Sequence, residues 1–357
     1  MRTKIKTFLI SRTDNIGDVI LTLPMLGVLK LFFPAARIIF LGKSYTRPIL
    51  QLSKNIDEIL FWDEISKKKD SDIITLFSEK NIDAVIHVFP NKRIAKIMKK
   101  AKVKMRIGTF HRIFHWHTCN KLVGFSRKNS NKHEALLNLK LLKPLKIKKS
   151  FQLNDLGNFY NIRKPQLSQD EMYVSYFDKI LSIDDFIVKG KINLVLHPKT
   201  NGSAREWGID NFGRLIELLP QDKFNILVSG TKAEGEILRD FLVDYRDLIT
   251  DVMGVFSLPQ FIYFLSRTDG LIAASTGPLH IAAMLGKFSL GIYAPMRPVF
   301  PKRWAPIGKN AHYLVKDKSC NDCKHSKICT CITSITPEQV KDKIDKFLSS
   351  NLLISRY

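Results

Sequence analysis

The strongest constraint in this chain is an alternation that runs once, stops and starts again. From residue 5 to about 108, short apolar runs alternate with amphipathic stretches. The apolar runs predict strands at 5–11, 37–41, 56–62, 83–89 and 104–108. The amphipathic stretches predict helices at 18–32, 72–80 and 92–100. Strands that alternate with helices build a parallel sheet with helices on both faces. Between about 150 and 191 the pattern loosens, with one helix predicted at 167–181. It then restarts, with strands predicted at 192–196, 224–229, 270–274 and 288–293. Helices are predicted at 210–219, 233–245, 258–267 and 278–285, and a last one at 337–349 carries Pro at its first turn.

This repeat predicts an α/β chain of two Rossmann-like, doubly wound domains facing across a cleft. The expected boundaries are 1–165 for the first, 166–190 for a linker, 191–335 for the second and 336–357 for a C-terminal helix and tail. A length of 357 residues suits two domains of ordinary size. Hydrophobic residues make up 45%, which excludes wholesale disorder, and five cysteines are too few for a disulfide scaffold. In doubly wound sheets, ligands sit at the carboxyl ends of strands beside helix N-termini. The loops that follow predicted strands are therefore where chemistry is sought.

The first such loop reads Arg12-Thr13-Asp14-Asn15-Ile16-Gly17-Asp18. Gly17 allows a tight turn, and Asp18 falls in a first helical turn, where the helix dipole keeps a carboxylate ionised. An ionised carboxylate can act as a base toward a sugar hydroxyl. An ordinary helix cap is the alternative. The dinucleotide fingerprint GxGxxG is absent from this position.

The second loop runs from His197-Pro198 through Lys199, Thr200, Gly202, Ser203 and Arg205 to Glu206-Trp207. Hydroxyls, a flexible glycine and two cations suit a phosphate cradle. A solvated polar loop is the alternative. The third loop is Ser275-Thr276-Gly277-Pro278-Leu279-His280. With Pro278 in the first turn, the free N–H groups near Thr276 and Gly277 would face an anion. His280 could donate to a phosphate or ribose oxygen, or be a structural histidine.

Two further patterns concern metals. Cys320, Cys323, Cys329 and Cys331 form two short pairs, read either as a structural zinc knot or as reduced thiols. Asp70-Ser71-Asp72 has a DxD form, but it follows three lysines and opens a predicted helix, so it reads as a cap. No catalytic metal is expected, and the leaving diphosphate would be neutralised by Arg205, Lys199 and a helix N-terminus.

Charge narrows the partner. Lys plus Arg number 57 against 33 Asp plus Glu, a net +24. Residues 92–149 hold 18 Lys and Arg and a single acid, Glu134. Such a stretch suits nucleic acid, an anionic lipid or acidic glycolipid, or plain solvent. No helix-turn-helix, RNP motif or zinc-finger spacing accompanies it. At the N-terminus, Arg12, Asp14 and Asp18 interrupt the apolar stretch, and the run 19–29 contains Pro24 and is too short to span a bilayer. The expectation is a cytoplasmic protein, soluble or peripherally attached to the inner membrane.

Taken in order, the loops resemble glycosyltransferase family 9, the lipopolysaccharide heptosyltransferases. The resemblance rests on Ile16-Gly17-Asp18 with Thr22-Leu23-Pro24, on His197-Pro198 through Arg205-Glu206-Trp207, and on Thr276-Gly277-Pro278-Leu279-His280. A Cys-rich segment before Pro337-Glu338 adds to it. The resemblance implies a GT-B fold and inverting, metal-independent transfer from an ADP-activated heptose to a lipid A-like anionic glycolipid, with no nucleic acid partner. Asp18 resembles the catalytic base. Thr200 and Arg205 resemble diphosphate contacts, and Thr276 and Gly277 the phosphate-binding turn beside His280. Glu234 is similar in position to a ribose contact, and Phe256 to a residue whose backbone meets adenine. Arg12, Arg106, His111 and Arg112 are the expected acceptor contacts. Ser275 departs from the family's usual Asp, which contacts sugar hydroxyls, and leaves room for another hexose or heptose donor. The rivals are a GT-B sugar-nucleotide epimerase or hydrolase, and a basic nucleic-acid-binding protein.

Overall fold

The computed structural model describes residues 5–127, 130–200, 202, 204–316 and 329–354. The chain divides into two compact units, Met1–Arg163 and Lys164–Tyr357.

The first unit is built on six parallel strands: β1 (Thr7–Ser11), β2 (Arg37–Gly42), β3 (Glu58–Phe61), β4 (Ala84–His87), β5 (Met105–Thr109) and β6 (Lys121–Val123). Their order is β3-β2-β1-β4-β5-β6. This is the Rossmann order, and its switch point lies between β1 and β4. In register, Ser11 at the end of β1 pairs with His87 at the end of β4. β1 is buried at all five positions, because helices cover both faces of the sheet. One face packs Leu9, Ile39 and Val85 against Phe77, Ile94 and Ile97.

The second unit opens with a hairpin, β7 (Tyr173–Tyr176) and β8 (Lys179–Ser182). Six parallel strands follow: β9 (Ile192–His197), β10 (Phe224–Val228), β11 (Thr250–Asp251), β12 (Gly270–Ala274), β13 (Phe288–Tyr293) and β14 (Ala311–Val315). Their order, β11-β10-β9-β12-β13-β14, repeats that of the first sheet. Trp207, Phe212, Ile216, Phe288 and Ile292 form a core that the last helix, Pro337–Ile354, closes with Val340 and Ile344. The stretch 336–354 is therefore packed into the second unit.

Three sequence expectations change. The helix predicted at 167–181 is instead the β7–β8 hairpin. Its register joins Tyr176 to Lys179 across Phe177 and Asp178, and Phe177 takes φ 50°. Val174 is buried while Tyr173 and Ser175 face outward, the period of two that belongs to a strand. The stretch expected as a linker at 166–190 thus has structure of its own, and Ile183 and Phe186 are buried. The helix predicted at 18–32 is two helices, Ile16–Ile20 and Leu23–Phe32. Pro24 has no N–H to continue the first helix and sits where a second one starts. Gly17 consequently lies inside the first helix rather than at a turn.

The first unit ends where its last segment is tied in. Helix Leu23–Phe32 packs on the turn Leu153–Phe159. Asn55 Nδ2 donates to the Phe159 carbonyl at 3.2 Å, and Arg163 Nη1 to that of Gln51 at 3.0 Å. A Cβ on Gly27 would land on the carbonyl oxygen and the Cβ of Phe159. Ala in place of Gly usually stabilises a helix. Here the obstacle is backbone, so Gly27→Ala should destabilise the protein by about 1–3 kcal/mol, read from chemical denaturation.

A second test concerns pH. Burial pushes His87 from its ordinary 6.5 down to about 3, and His115 and Arg106 add to the shift. The unfolded chain takes up this proton below pH 6.5, and the native chain resists it to about 3. Stability should therefore fall as pH drops through that window, by up to about 1.4 kcal/mol per pH unit for this group. His87→Gln should flatten the profile of denaturation midpoint against pH.

Candidate functional site

The first loop leaves the carboxyl end of β1 and builds a buried ionic cluster around Arg12. Arg12 is only 3% exposed. Its Nε donates to Asp14 Oδ1 at 2.7 Å, its Nη2 to Asp18 Oδ1, and its Nη1 to Glu134 Oε1 at 3.2 Å. Arg127 Nε also donates to Glu134 Oε1, at 2.9 Å, and its Nη2 to Asn138 Oδ1 at 2.9 Å. Asn138 Nδ2 in turn donates to Thr22 Oγ1 at 3.2 Å, and Thr22 Oγ1 to the Asp18 carbonyl at 2.8 Å. Two guanidinium groups thus serve three carboxylates.

The electrostatics differ from those expected of a helix terminus. Helix Ile16–Ile20 is little more than one turn, and its dipole is correspondingly small. Burial is the largest influence on Asp18 and raises its pKa; Arg12 opposes that, and Glu134 reinforces it. Asp14 is likewise raised, to about 6, by burial, with Arg12 again opposing. Arg12 is pushed down by burial, but its three carboxylates outweigh this and hold it cationic. The Arg12 ion pair is the main influence that favours the ionised form of Asp18 against burial. Asp18 retains 15% side-chain exposure, while Glu134 has 1%. Asp14, at 16%, is open to the same degree, so two of the three carboxylates keep an edge toward solvent and Glu134 is sealed inside the cluster.

Arg12 was expected to contact an acceptor. It is buried with its nitrogens on protein carboxylates, and it braces Asp14, Asp18 and Glu134 together. Arg106 is also engaged: its Nε donates to the Thr118 carbonyl at 2.7 Å and its Nη1 to that of Val103. It staples β5 to the helix Ile113–Thr118. His111 and Arg112 are exposed just beyond the carboxyl end of β5.

In the second unit, the loop after β9 is held by Glu206. Its Oε1 accepts from Thr200 N at 3.1 Å and its Oε2 from Lys199 Nζ at 2.7 Å. Thr200 Oγ1 donates to the Ala204 carbonyl at 3.1 Å. Lys199 was expected to face a diphosphate; here its charge is paired with Glu206, and it latches the loop. Arg205 is half-buried beside them. Trp207 anchors the loop's end, fully buried, with its Nε1 donating to the Ile335 carbonyl at 2.7 Å. Asn201 and Ser203 lie outside the described residues.

The loop after β12 leads into helix Gly277–Met284. Thr276 occupies its N-cap without making a side-chain cap, and its buried Oγ1 has no hydrogen-bond partner among the described residues. A buried hydroxyl at an uncapped helix N-terminus suits an anion. His280 is buried on the same helix. Ser275 hydrogen-bonds with the Tyr293 hydroxyl, which itself donates to the Trp304 carbonyl at 2.6 Å.

The looser placements have other engagements. Glu234 Oε2 accepts from Thr231 N at 2.7 Å and from Thr231 Oγ1 at 2.9 Å, closing a capping box. The Phe256 ring stacks on Phe264 at 4.6 Å and meets Phe186 edge-on at 5.4 Å. Cys329 is buried in the second core, with Cys331 packed against it. Cys320 and Cys323 lie outside the described residues, among which no cluster of three or more metal-ligating side chains occurs.

Sequence reasoning missed Glu134, Arg127 and Asn138 as site residues. The signal was present: Glu134 is the lone acid in a stretch otherwise uniformly basic. Arg12→Gln leaves buried carboxylates without their counter-ion and should cost about 3–5 kcal/mol in urea denaturation. Adding Glu134→Gln should recover part of that loss, a coupling that a double-mutant cycle reads directly.

Comparison with known proteins agrees with this architecture. The family model described as "Glycosyltransferase family 9 (heptosyltransferase)" matches residues 78–331, which includes the second and third loops. The lipopolysaccharide core heptosyltransferase OpsX of Haemophilus influenzae is 21% identical over 297 residues, covering 82% of this chain and 80% of that protein. The family 9 glycosyltransferase of Veillonella parvula superposes with a TM-score of 0.77 at 18% identity, covering 97% and 98% of the two chains. The E. coli heptosyltransferase WaaC, solved with ADP, gives 0.69 at 15% identity, covering 96% and 99%. The fold is GT-B, two Rossmann-like units in one chain. The chain belongs to glycosyltransferase family 9, the heptosyltransferases, and is a glycosyltransferase.

Proposed function

We propose that this enzyme moves a heptose, or a related sugar, from an ADP-sugar to the inner core or lipid A region of a lipopolysaccharide acceptor, with inversion and without a catalytic metal. The acceptor is an anionic glycolipid, met at the cytoplasmic face of the inner membrane. The observation that carries the reading is the Asp18–Arg12 pair, a partly exposed carboxylate held by a buried cation.

In the proposed reaction, Asp18 accepts the proton of an acceptor hydroxyl. The hydroxyl oxygen then forms a bond to the anomeric carbon from the face opposite the leaving group. The bond from that carbon to the diphosphate oxygen breaks, and ADP departs with the electron pair. Arg205, Thr200, the Thr276 hydroxyl and the N-terminus of helix Gly277–Met284 stabilise the charge that develops on it. Ser275 lacks the carboxylate usual in this family and bonds to Tyr293, so the donor's sugar hydroxyls meet a neutral group there. That favours a donor sugar whose recognition does not depend on a carboxylate at this position.

The solved complexes of WaaC with ADP and with ADP-2-deoxy-2-fluoro heptose make ADP-heptose the first ligand to try. A calorimetric panel of nucleotide sugars should show binding of an ADP-sugar. Binding of a UDP- or GDP-sugar in its place would overturn the donor assignment. Asp18→Asn should lower kcat by about 10²–10⁴-fold while donor affinity changes little. Because burial raises Asp18, the acid limb of kcat/KM should lie above the ordinary carboxylate range and vanish in Asp18→Asn.

A further inference from the structure

The first unit displays large apolar side chains in the middle of its most basic surface. Phe110 is 49% exposed, Ile113 72% and Trp116 50%. Phe110 and Trp116 pack in a tilted pair, with ring centroids 5.2 Å apart and planes 35° apart. Trp116 Nε1 donates to the Phe110 carbonyl at 2.7 Å, so the one polar atom of the indole is already engaged. The ring is thereby fixed in place and offers outward an essentially apolar surface. Ile113 precedes Trp116 by three residues in helix Ile113–Thr118 and shares its outer face, while His115 and Thr118 are buried on the inner one.

Cations surround this ridge. From Lys92 to Arg127 the chain carries eleven Lys and Arg and no Asp or Glu. Lys92, Lys96, Lys99 and Lys100 are exposed on helix Lys92–Lys100, which packs against helix Ile113–Thr118. Lys99 Nζ donates to the His117 carbonyl at 2.8 Å and joins the two helices directly. Arg112, His117 and Lys121 are exposed on the ridge itself or on the adjoining edge strand. Isolated exposed apolar residues need no explanation; a fixed aromatic pair with an aliphatic neighbour, on a stretch of chain whose charges are all cationic, does.

We propose that Phe110, Ile113 and Trp116 insert into the headgroup region of an anionic phospholipid bilayer, with the surrounding lysines and arginines paired to lipid phosphates. Aromatic rings are favoured at the membrane interface, and basic residues near an anionic leaflet add electrostatic attraction. Charge complementarity selects this occupant. Another exposed apolar group, Phe177 and Ile180 on the β7–β8 hairpin, has both Asp178 and Lys179 beside it and lies close in sequence to Asp170 and Glu171, so its surroundings are of mixed sign. The proposal deepens the membrane-facing part of the function above by naming the surface that makes the contact. It rests on that reading only for the location of the acceptor.

The test uses the full chain and vesicles that hold no glycolipid, so binding is read independently of sugar transfer. The protein should co-sediment with phosphatidylcholine vesicles containing phosphatidylglycerol and not with phosphatidylcholine alone, and binding should weaken as salt rises. Brominated lipid should quench the tryptophan fluorescence, and Trp116→Phe should remove that quenching. Ile113→Asp should weaken vesicle binding by roughly tenfold or more, because it replaces the inserted apolar group with a like charge to the lipid. Its circular dichroism and nucleotide-sugar binding should match the wild type. Unchanged vesicle binding by Ile113→Asp would overturn the proposal. So would equal binding to neutral vesicles. A dimer of the wild-type chain in sedimentation velocity that Ile113→Asp dissociates would also overturn it, by assigning the ridge to a second copy of this chain.

Discussion

A single buried guanidinium organises the first unit's chemistry. Arg12 is shared among Asp14, Asp18 and Glu134, which come from two parts of the chain more than a hundred residues apart. A charge so buried is tolerable only when paired and hydrogen-bonded. The reverse also holds, since each carboxylate depends on it. Glu134 would be an isolated buried anion without Arg12 and Arg127. Asp18 would be driven toward its neutral form by burial, and a neutral acid cannot take a proton. The fold and the proposed chemistry therefore meet at the same side chain. The segment that brings Glu134 and Asn138 to β1 fixes Asp18 in its loop, through Thr22 as well as through Arg12.

Sheet topology explains why the functional loops fall where they do. In each unit the central strand is the first one, and its carboxyl end faces the switch in strand order. The loops after β1, β9 and β12 leave from such ends, so residues at 12–18, 197–207 and 275–280 are delivered by buried, rigid strands. Each loop is then pinned by contacts inside the protein, through Arg12 in the first, Glu206 in the second and Tyr293 beneath the third. In two of the three, a cation expected to contact a ligand is paired with a protein carboxylate: Arg12 with Asp14, Asp18 and Glu134, and Lys199 with Glu206.

That pattern marks how far the sequence could be read. Central elements were legible to the residue: helix Leu258–Arg267 and strands β12 and β13 carry unbroken apolar runs or clear helical spacing. The edge strands β6, β11 and β14 were not, because a two- to five-residue strand at a sheet's rim leaves little pattern. The hairpin read as a helix because Tyr173 to Ser182 contains apolar residues at spacings that both periods accommodate, and only cross-strand pairing decides between them. Candidate loops were identifiable from residue types, but the partners of Arg12, Arg106 and Lys199 were not. A salt bridge such as Arg12–Glu134 depends on the three-dimensional path of the chain, and no local spacing encodes it.

The net charge of +24 divides along the same line. Some of its densest stretch is spent inside the protein, where Arg127 pairs with Glu134 and Arg106 binds backbone carbonyls. The remainder lies outside, on helix Lys92–Lys100 and around the Phe110–Trp116 ridge. A nucleic-acid surface would use such cations to track phosphates and would present rings for bases to stack on. Here the two rings pack tilted against one another and the indole N–H is internally bonded, so what they present is apolar bulk with an aliphatic neighbour. Apolar bulk set among cations is the chemistry of a membrane interface. The lone acid of the segment, Glu134, does not soften that surface, because it is turned inward onto Arg12.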